Sequence, residues 1–145
     1  MRLTVFSDYS LRVLMYLGLS APKLATIADI AGHYGISENH LMKVVHGLVQ
    51  CGYVDSLRGR GGGLRLAAKP EAVVIGEVVR ATEGDTALVE CFDPPRDACR
   101  ITRACALRHA LAEARDAFYA VLDAYTLADL LRPKARLSKL LQLSV

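Results

Sequence analysis

The chain lacks an apolar run long enough to cross a membrane. Its uncharged stretch near the N-terminus, residues 13–22, has ten residues, whereas a spanning helix needs about 20 apolar residues. Asp8 precedes this stretch and Lys23 follows it, so a core helix is expected here rather than a secretory signal. We therefore expect a cytoplasmic protein that does not contact a membrane.

The motifs of common catalytic sites are also missing. Neither the GxSxG turn of serine hydrolases nor the HExxH motif of zinc proteases occurs in the sequence. The glycine run at 61–63 is not followed by the lysine and Ser/Thr that a phosphate-binding loop needs. These absences predict that the chain is not an enzyme.

The excess of charge is small but unevenly distributed. Hydrophobic residues make up 52% of the 145 residues and charged residues 23%, which is typical of a folded domain. Residues 1–70 carry 8 Lys/Arg and 4 Asp/Glu, whereas residues 71–145 carry 10 and 11. The basic N-terminal half indicates a polyanionic partner.

The N-terminal half has the pattern of a helix-turn-helix. A first helix is expected to begin at Ser7, as its cap, and to end near Ser20. Thr26 and Asp29 form a capping-box pattern at the start of a second helix, and Ser37 caps a third. Two short capped helices joined by a glycine-containing turn indicate a helix-turn-helix.

A small basic hairpin follows these helices. Residues 53–57 and 64–67 read as strands, the tip between them is rich in glycine and arginine, and no acid occurs from 58 to 69. The sequence therefore predicts a mostly α fold, a winged helix-turn-helix DNA-binding domain with a two-stranded wing.

Two features of this domain fit DNA chemistry. The N-terminal end of the third helix can face phosphates and reach base edges in the major groove, and arginines beside glycines suit a narrow minor groove. The residues expected at the DNA are Thr26, Ser37, Asn39, His40, Lys43, Arg58, Arg60, Gly61 and Arg65.

Three of the four cysteines lie within 15 residues of one another, at Cys91, Cys99 and Cys105. Thiolates suit zinc, copper or an iron–sulfur cluster, but the sequence has no CxxC pair and no fourth cysteine in this group. The spacing leaves two interpretations open, a metal site completed from elsewhere and three incidental buried cysteines. Cys51 lies apart and is expected in the core.

A long helix with an apolar seam is expected after the cysteines. It should run from about Ala104 to Tyr125, with apolar residues at heptad spacing. The seam consists of Leu107, Leu111, Ala114, Phe118, Val121 and Tyr125.

Several segments resemble a known family. They are LTVFSDYSLR at 3–12, GYV at 52–54, RGRGGGLRL at 58–66, CRITRAC at 99–105 and YTLADL at 125–130. In these segments the chain resembles the NsrR family of nitric-oxide-sensing repressors. That family is part of a wider group of dimeric winged-helix regulators that carry an iron–sulfur cluster and include IscR.

The resemblance implies a set of ligands and partners. Cys91, Cys99 and Cys105 would hold an iron–sulfur cluster, most commonly 4Fe–4S, and Asp8 of the other subunit would supply the fourth ligand. The winged helix (residues 1–83) would bind two-fold operator DNA, residues 84–105 would form the cluster-binding loop, and residues 106–145 the dimerisation helix and tail. Nitric oxide would release a homodimeric repressor from genes for nitrosative-stress detoxification.

Two alternatives stay open from the sequence. One is a regulator with a 2Fe–2S cluster that senses redox state or cluster supply, as in IscR, where a histidine three residues after the last cysteine is a ligand. Here that position is Arg108, and His109 is one residue further along. The other is a zinc-stabilised DNA-binding protein without a sensing role.

Overall fold

The computed structural model describes residues 2–84 and 87–143. It is mostly helical, with one two-stranded antiparallel sheet, and this confirms the predicted fold class. The elements are α1 (Val5–Ser20), α2 (Ile27–Tyr34), α3 (Glu38–Gln50), β1 (Val54–Leu57), β2 (Gly63–Leu66), α4 (Ile75–Glu83), α5 (Ala106–Asp123), α6 (Leu127–Leu130) and α7 (Lys134–Leu140). None of the described helices is long and apolar enough to span a membrane.

The helix-turn-helix is formed by α2 and α3. Thr26 and Asp29 make both hydrogen bonds of a capping box at the start of α2, as their spacing predicts. Gly35, at a φ of 63°, ends α2 in the left-handed region that favours glycine. Ser37 is the N-cap of α3, although its side chain makes no capping hydrogen bond.

The predicted N-cap of α1 was wrong by three residues. The N-cap is Thr4, whose side chain accepts a hydrogen bond from the backbone N–H of Ser7 at 3.1 Å. Ser7 itself lies inside the helix and is fully buried. Thr4 and Ser7 offer the same kind of side-chain oxygen, so local sequence alone did not distinguish the two caps.

The wing is a four-residue ladder held against the helices. Val54 pairs with Leu66 at one end and Leu57 with Gly63 at the tip. Ala25, just before α2, forms an antiparallel bridge with Leu64, which attaches the wing to the helix-turn-helix.

Helix α1 lies at the centre of the core. Its inner face packs against α3 and α4, and fully burying each aliphatic side chain contributes about 1.5–3 kcal/mol. The most deeply buried large side chains are Val13, Leu14, Ile30, Leu41, Leu48, Val78, Val79 and Leu127.

The C-terminal helices return to this core. Leu127 of α6 is fully buried, and its N–H donates to the carbonyl of Val73 at 2.8 Å. The N–H of Ile75 donates to the carbonyl of Tyr125 at 2.9 Å. The chain segment after α5 is therefore part of the same packed unit as the winged helix.

Helix α5 differs from the others because none of its residues is buried. It is two residues shorter at each end than the sequence predicts. On its seam Leu107 is 65% exposed, Val121 60% and the following Tyr125 48%. An apolar seam on an exposed helix is typical of a surface that another chain covers.

Candidate nucleic-acid interface and metal-ligand residues

The outer face of α3 carries the polar residues that the sequence assigned to DNA. Asn39, His40 and Lys43 are exposed beside the N-terminal end of the helix, and Ser37 is exposed at its cap. The opposite face is buried and holds α3 against the core through Leu41, Val44, Val45 and Leu48. This division leaves one face of the helix free to enter a groove.

The wing tip presents two exposed arginines. Arg58 and Arg60 are exposed, as is Gly61 between the strands. Within the described parts of the chain neither arginine forms an ion pair. A Cβ at Gly62 would lie 2.2 Å from the carbonyl oxygen of Leu57, so this tight tip requires glycine there.

Two of the predicted DNA contacts are engaged within the protein. Arg65 pairs across the wing with Asp55, and both its Nε and Nη2 lie 3.0 Å from the same Oδ2. The Thr26 hydroxyl donates to Asp29 at 2.7 Å. The backbone N–H of Thr26 is the main cause that lowers the pKa of Asp29. The structure thus places Arg65 and Thr26 in the wing and the cap, where they stabilise local structure.

Asp8 lies on α1, half-exposed, in an ion pair with Arg12 one turn later. The Nη2–Oδ2 distance is 2.8 Å and the Nε–Oδ1 distance is 3.1 Å. The Arg12 guanidinium is also 5.7 Å from the ring centroid of Tyr9 and 6.0 Å from that of Tyr34. This role of Arg12 was not predicted from the sequence, although its spacing of four residues from Asp8 is the usual signal for such a pair.

All four cysteines are free thiols. Cys91 and Cys105 are half-buried and Cys99 is exposed. The expectation that Cys51 lies in the core was wrong, since it is exposed at the C-cap of α3. Because α3 ends at Gln50, helical spacing no longer determines which way residue 51 faces.

The first part of the cysteine loop is attached to α5. Arg108 Nε donates to the carbonyl of Cys91 at 3.3 Å. The guanidinium groups of Arg108 and Arg115 lie 5.9 Å and 5.0 Å from the ring centroid of Phe92. Cys91 is therefore held beside the first turn of the helix whose N-cap is Cys105. No sequence signal pointed to these contacts, because the partners are 16 or more positions apart.

The second part of the loop is organised around Asp97. Its Oδ1 accepts from the backbone N–H of Cys99 at 3.0 Å and from the hydroxyl of Thr102 at 2.9 Å. This carboxylate fixes the turn that presents the exposed Cys99 thiol.

The types of the candidate ligand residues suit iron, but a single chain does not bring these residues together around one point. Three thiols, with no disulfide among them, and a carboxylate such as that of Asp8 are suitable residue types for binding iron. In the residues that the structure describes, no group of three or more His, Cys, Asp or Glu side chains is close enough together to hold a metal ion. The residue types therefore fit an iron–sulfur cluster, whereas their closure around it is not seen in the single chain.

Helix α1, which carries Asp8, contacts the reading helix α3. The Tyr9 and His40 ring centroids are 6.4 Å apart, and a Cβ on Gly47 would lie 2.6 Å from the tip of Phe6. At its start, the backbone N–H of Thr4 donates to Glu83 Oε1 at 2.7 Å. The helix that carries Asp8 thus contacts α3 along one side, and its N-cap residue is hydrogen-bonded to the end of α4.

Comparisons with known proteins find relatives that match almost the whole chain. The family model described as "Rrf2: Iron-dependent Transcriptional regulator" matches residues 3–133. The HTH-type transcriptional regulator NsrR of Bacillus subtilis (strain 168) is 53% identical over 144 residues, which is 99% of each chain. NsrR of Geobacillus kaustophilus (strain HTA426) is 51% identical over 143 residues, which is 98% of this chain and 97% of that one.

Solved structures share the fold. CymR (YrzC), the global cysteine regulator of B. subtilis, is 29% identical with a TM-score of 0.73, over 90% of this chain and 95% of that one. T. potens IscR, at 23% identity and a TM-score of 0.74 over 91% and 87% of the two chains, shows the same fold. The relatives are named as transcriptional regulators, which confirms the prediction that the chain is not an enzyme. The chain belongs to the Rrf2 family of DNA-binding transcriptional regulators.

Proposed function

We propose that the chain is a homodimeric repressor that binds two-fold operator DNA and releases it when nitric oxide acts on a bound iron–sulfur cluster. The regulated genes would be those of nitrosative-stress detoxification. The observation that carries this proposal is the placement of the candidate ligands. Asp8 lies on the helix that contacts the reading helix, whereas the cysteines lie on a loop attached to α5.

The dimer is supported by the seam of α5. Leu107, Val121 and Tyr125 are among the most exposed large apolar residues of the chain, and they share the seam with half-buried Leu111 and Phe118. Pairing of this seam with a second copy would bury it, as in other coiled helix pairs. A two-fold dimer would then present two α3 helices to two half-sites.

The cluster would be held by Cys91, Cys99 and Cys105 of one subunit and Asp8 of the other, most commonly as 4Fe–4S. When bound, it would supply iron atoms to which nitric oxide can coordinate. Asp8 must leave Arg12 to reach a partner's loop, and Arg12 would then keep its contacts with Tyr9 and Tyr34.

Residues of this chain support Asp8 rather than a histidine as fourth ligand. Arg108 stands where IscR has its ligand, and its guanidinium is engaged with the Cys91 carbonyl and the Phe92 ring. His109, one residue later, is exposed on α5, and a one-residue shift turns a helical side chain by about 100°. These contacts disfavour the 2Fe–2S alternative with its IscR-type histidine ligand.

Coupling to DNA would run through α1. Loss of the Asp8 ligand frees the N-terminal half of α1, whose Phe6 and Tyr9 contact α3 at Gly47 and His40. A shift of α1 would therefore move the reading face of α3 and lower the affinity for operator DNA.

The test is DNA binding before and after addition of nitric oxide. Operator duplexes are first selected from a random pool with anaerobically purified wild-type protein. Wild type and Cys51→Ser should lose affinity by about tenfold or more on nitric oxide, whereas Cys99→Ser should not respond. A Cys99→Ser protein with the wild-type response would contradict the proposal. An Asp8→Ala protein with the wild-type nitric oxide dose dependence would exclude Asp8 as the coupling ligand.

A further inference from the structure

A bidentate ion pair joins the last residue of α5 to α4. Arg80 Nη1 and Nη2 donate to the two carboxylate oxygens of Asp123, each at 2.6 Å. The guanidinium also lies 4.4 Å from the ring centroid of Tyr119, one turn earlier on α5. The hydrogen bonds from Arg80 lower the pKa of the Asp123 carboxyl, so the pair is charged on both sides at neutral pH.

A glycine in α4 makes this contact possible. A Cβ on Gly76 would lie 1.9 Å from Asp123 Oδ1, so any other residue would displace the carboxylate. The carboxylate therefore rests directly on the first turn of α4. We call these four residues, Gly76, Arg80, Tyr119 and Asp123, the α4–α5 clamp.

The clamp joins two parts that differ in how firmly they are held. Helix α4 is fixed in the winged helix, since Val78 and Val79 are fully buried in the core. Helix α5 has no buried residue. Arg80 and Asp123 are 44% and 39% exposed, so the pair adds little to stability. Its two parallel hydrogen bonds instead define the orientation of the end of α5 relative to α4.

We propose that the α4–α5 clamp sets the spacing of the two operator half-sites, because it fixes, together with the backbone hydrogen bond from Ile75 to Tyr125, the angle between the dimerisation helix and the winged helix. This inference rests on the proposed homodimer. Helix α5 has 18 residues and is about 27 Å long. A tilt of about 10° at the clamp would move its far end by about 5 Å, more than the ~3.4 Å rise of one base pair. Residues that never touch DNA would thus determine which operators are bound.

The experiment is selection of DNA by the full-length protein. Anaerobically purified wild type and variants each select from a pool of duplexes with a randomised core of about 40 base pairs, long enough for two half-sites, and the selected duplexes are sequenced. Asp123→Asn removes the negative charge that α5 contributes to the clamp. Arg80→Met removes the positive charge that α4 contributes, while it keeps an apolar side chain beside Tyr119. Asp116→Asn is the matched control, because Asp116 pairs with Arg115 on the same helix, 2.8 Å away.

Wild type and Asp116→Asn should select inverted half-sites at one spacing. The two clamp variants should select the same half-site sequence over several spacings, with the preference for the wild-type spacing reduced about tenfold. A single unchanged spacing with either clamp variant would overturn the inference. Loss of the half-site sequence itself in both clamp variants would also overturn it, since the clamp would then be needed for the winged helix.

The same experiment separates this inference from the proposed function. If wild type sediments as a monomer and selects isolated half-sites, the homodimer proposal fails before the clamp is tested. If wild type is a dimer with no preferred spacing, the homodimer stands and the role of the clamp is excluded.

Discussion

Two serines of α1 are fully buried and differ in what their hydroxyls contact. Ser7 Oγ lies 3.0 Å from Thr4 Oγ1. Although burial alone would raise the pKa of Glu83, hydrogen bonds from Ser7 and Thr4 lower it. Ser10 Oγ has no hydrogen-bond partner among the described residues. A buried polar group without a partner costs desolvation free energy that no hydrogen bond offsets.

Alanine at the two serines should therefore have different effects. Ser10→Ala should leave the free energy of unfolding unchanged or raise it by up to about 1 kcal/mol, whereas Ser7→Ala should lower it by about 1–2 kcal/mol. Urea denaturation of the two variants measures both values against wild type. A loss of more than about 1 kcal/mol in Ser10→Ala would show that its hydroxyl has a partner.

Substitutions of the wing arginines Arg58 and Arg65 should differ in their effect on DNA affinity. Arg58→Ala should weaken DNA binding by about 1–3 kcal/mol, and more on A/T-rich sites if it enters a narrow minor groove. The double variant Asp55→Ala/Arg65→Ala removes a neutral pair and should change affinity less than about threefold. Fluorescence anisotropy on selected duplexes measures both. Equal losses in the two proteins would refute the separate role of Arg58.

Some single residues were predictable and others were not. The capping box of Thr26 and Asp29 was predictable, because it depends only on two residues three positions apart in the sequence. The pairing of Arg80 with Asp123 was not, because its partners are 43 positions apart and charge alone selects no partner. Cys51 was assigned to the core from residue type, which does not report where a helix ends.

At the scale of elements, two capping boxes share one chemistry. Thr126 and Asp129 cap α6 as Thr26 and Asp29 cap α2. In each box the N–H of the threonine is the main cause that lowers the pKa of the aspartate. A carboxyl group whose pKa is lower in the folded protein than in the unfolded chain stabilises the fold at pH values above the ordinary pKa. This stabilisation is lost as the pH falls through the lowered pKa.

The direction of this pKa shift predicts how the stability of the protein depends on pH. The difference in Tm between wild type and Asp29→Asn should be full at pH 6. It should shrink as the pH falls below the ordinary value of 3.8, because Asp29 is then protonated first in the unfolded chain and, below its lowered pKa, in the folded protein too. Asp129→Asn should behave in the same way. A difference that grows on acidification would contradict the assignment. Thermal unfolding followed by circular dichroism is the measurement.

The elements themselves were largely predictable from periodicity and turn residues. The bounds of α5 and of the wing strands differ from the expected ones by one or two residues, since hydrogen bonding at helix and strand ends depends on tertiary contacts. The packing of α6 and α7 back onto α1 was not predicted. A short apolar tail has no period that identifies its partner.

At the scale of the whole molecule, the seam of α5 predicts the oligomeric state. Leu107→Glu should convert a dimer to a monomer, because a charge would have to be buried in the seam, and operator affinity should fall about tenfold or more. Leu140→Glu is the matched control, since Leu140 is 71% exposed on α7, away from the seam. Sedimentation equilibrium distinguishes the two. A dimeric Leu107→Glu protein would place the interface elsewhere.

The candidate cluster ligands were named from sequence, but their assembly was not derivable from one chain. Cys91 is held beside the first turn of α5 by Arg108, and Cys105 is the N-cap of that helix, while Asp8 remains with Arg12. If the fourth ligand comes from a second subunit, neither the sequence nor a single subunit can display the closed site.

The central claim is that Cys91, Cys99 and Cys105 hold an iron–sulfur cluster. Its most direct test is the iron and acid-labile sulfide content of anaerobically purified protein, assayed with the visible absorption spectrum. Wild type and Cys51→Ser should be coloured, with iron and sulfide equal and near four of each per chain, and Cys99→Ser should lose both. A wild-type protein that stays colourless after cluster reconstitution would contradict the account. A Cys99→Ser protein with wild-type iron and sulfide would contradict it too.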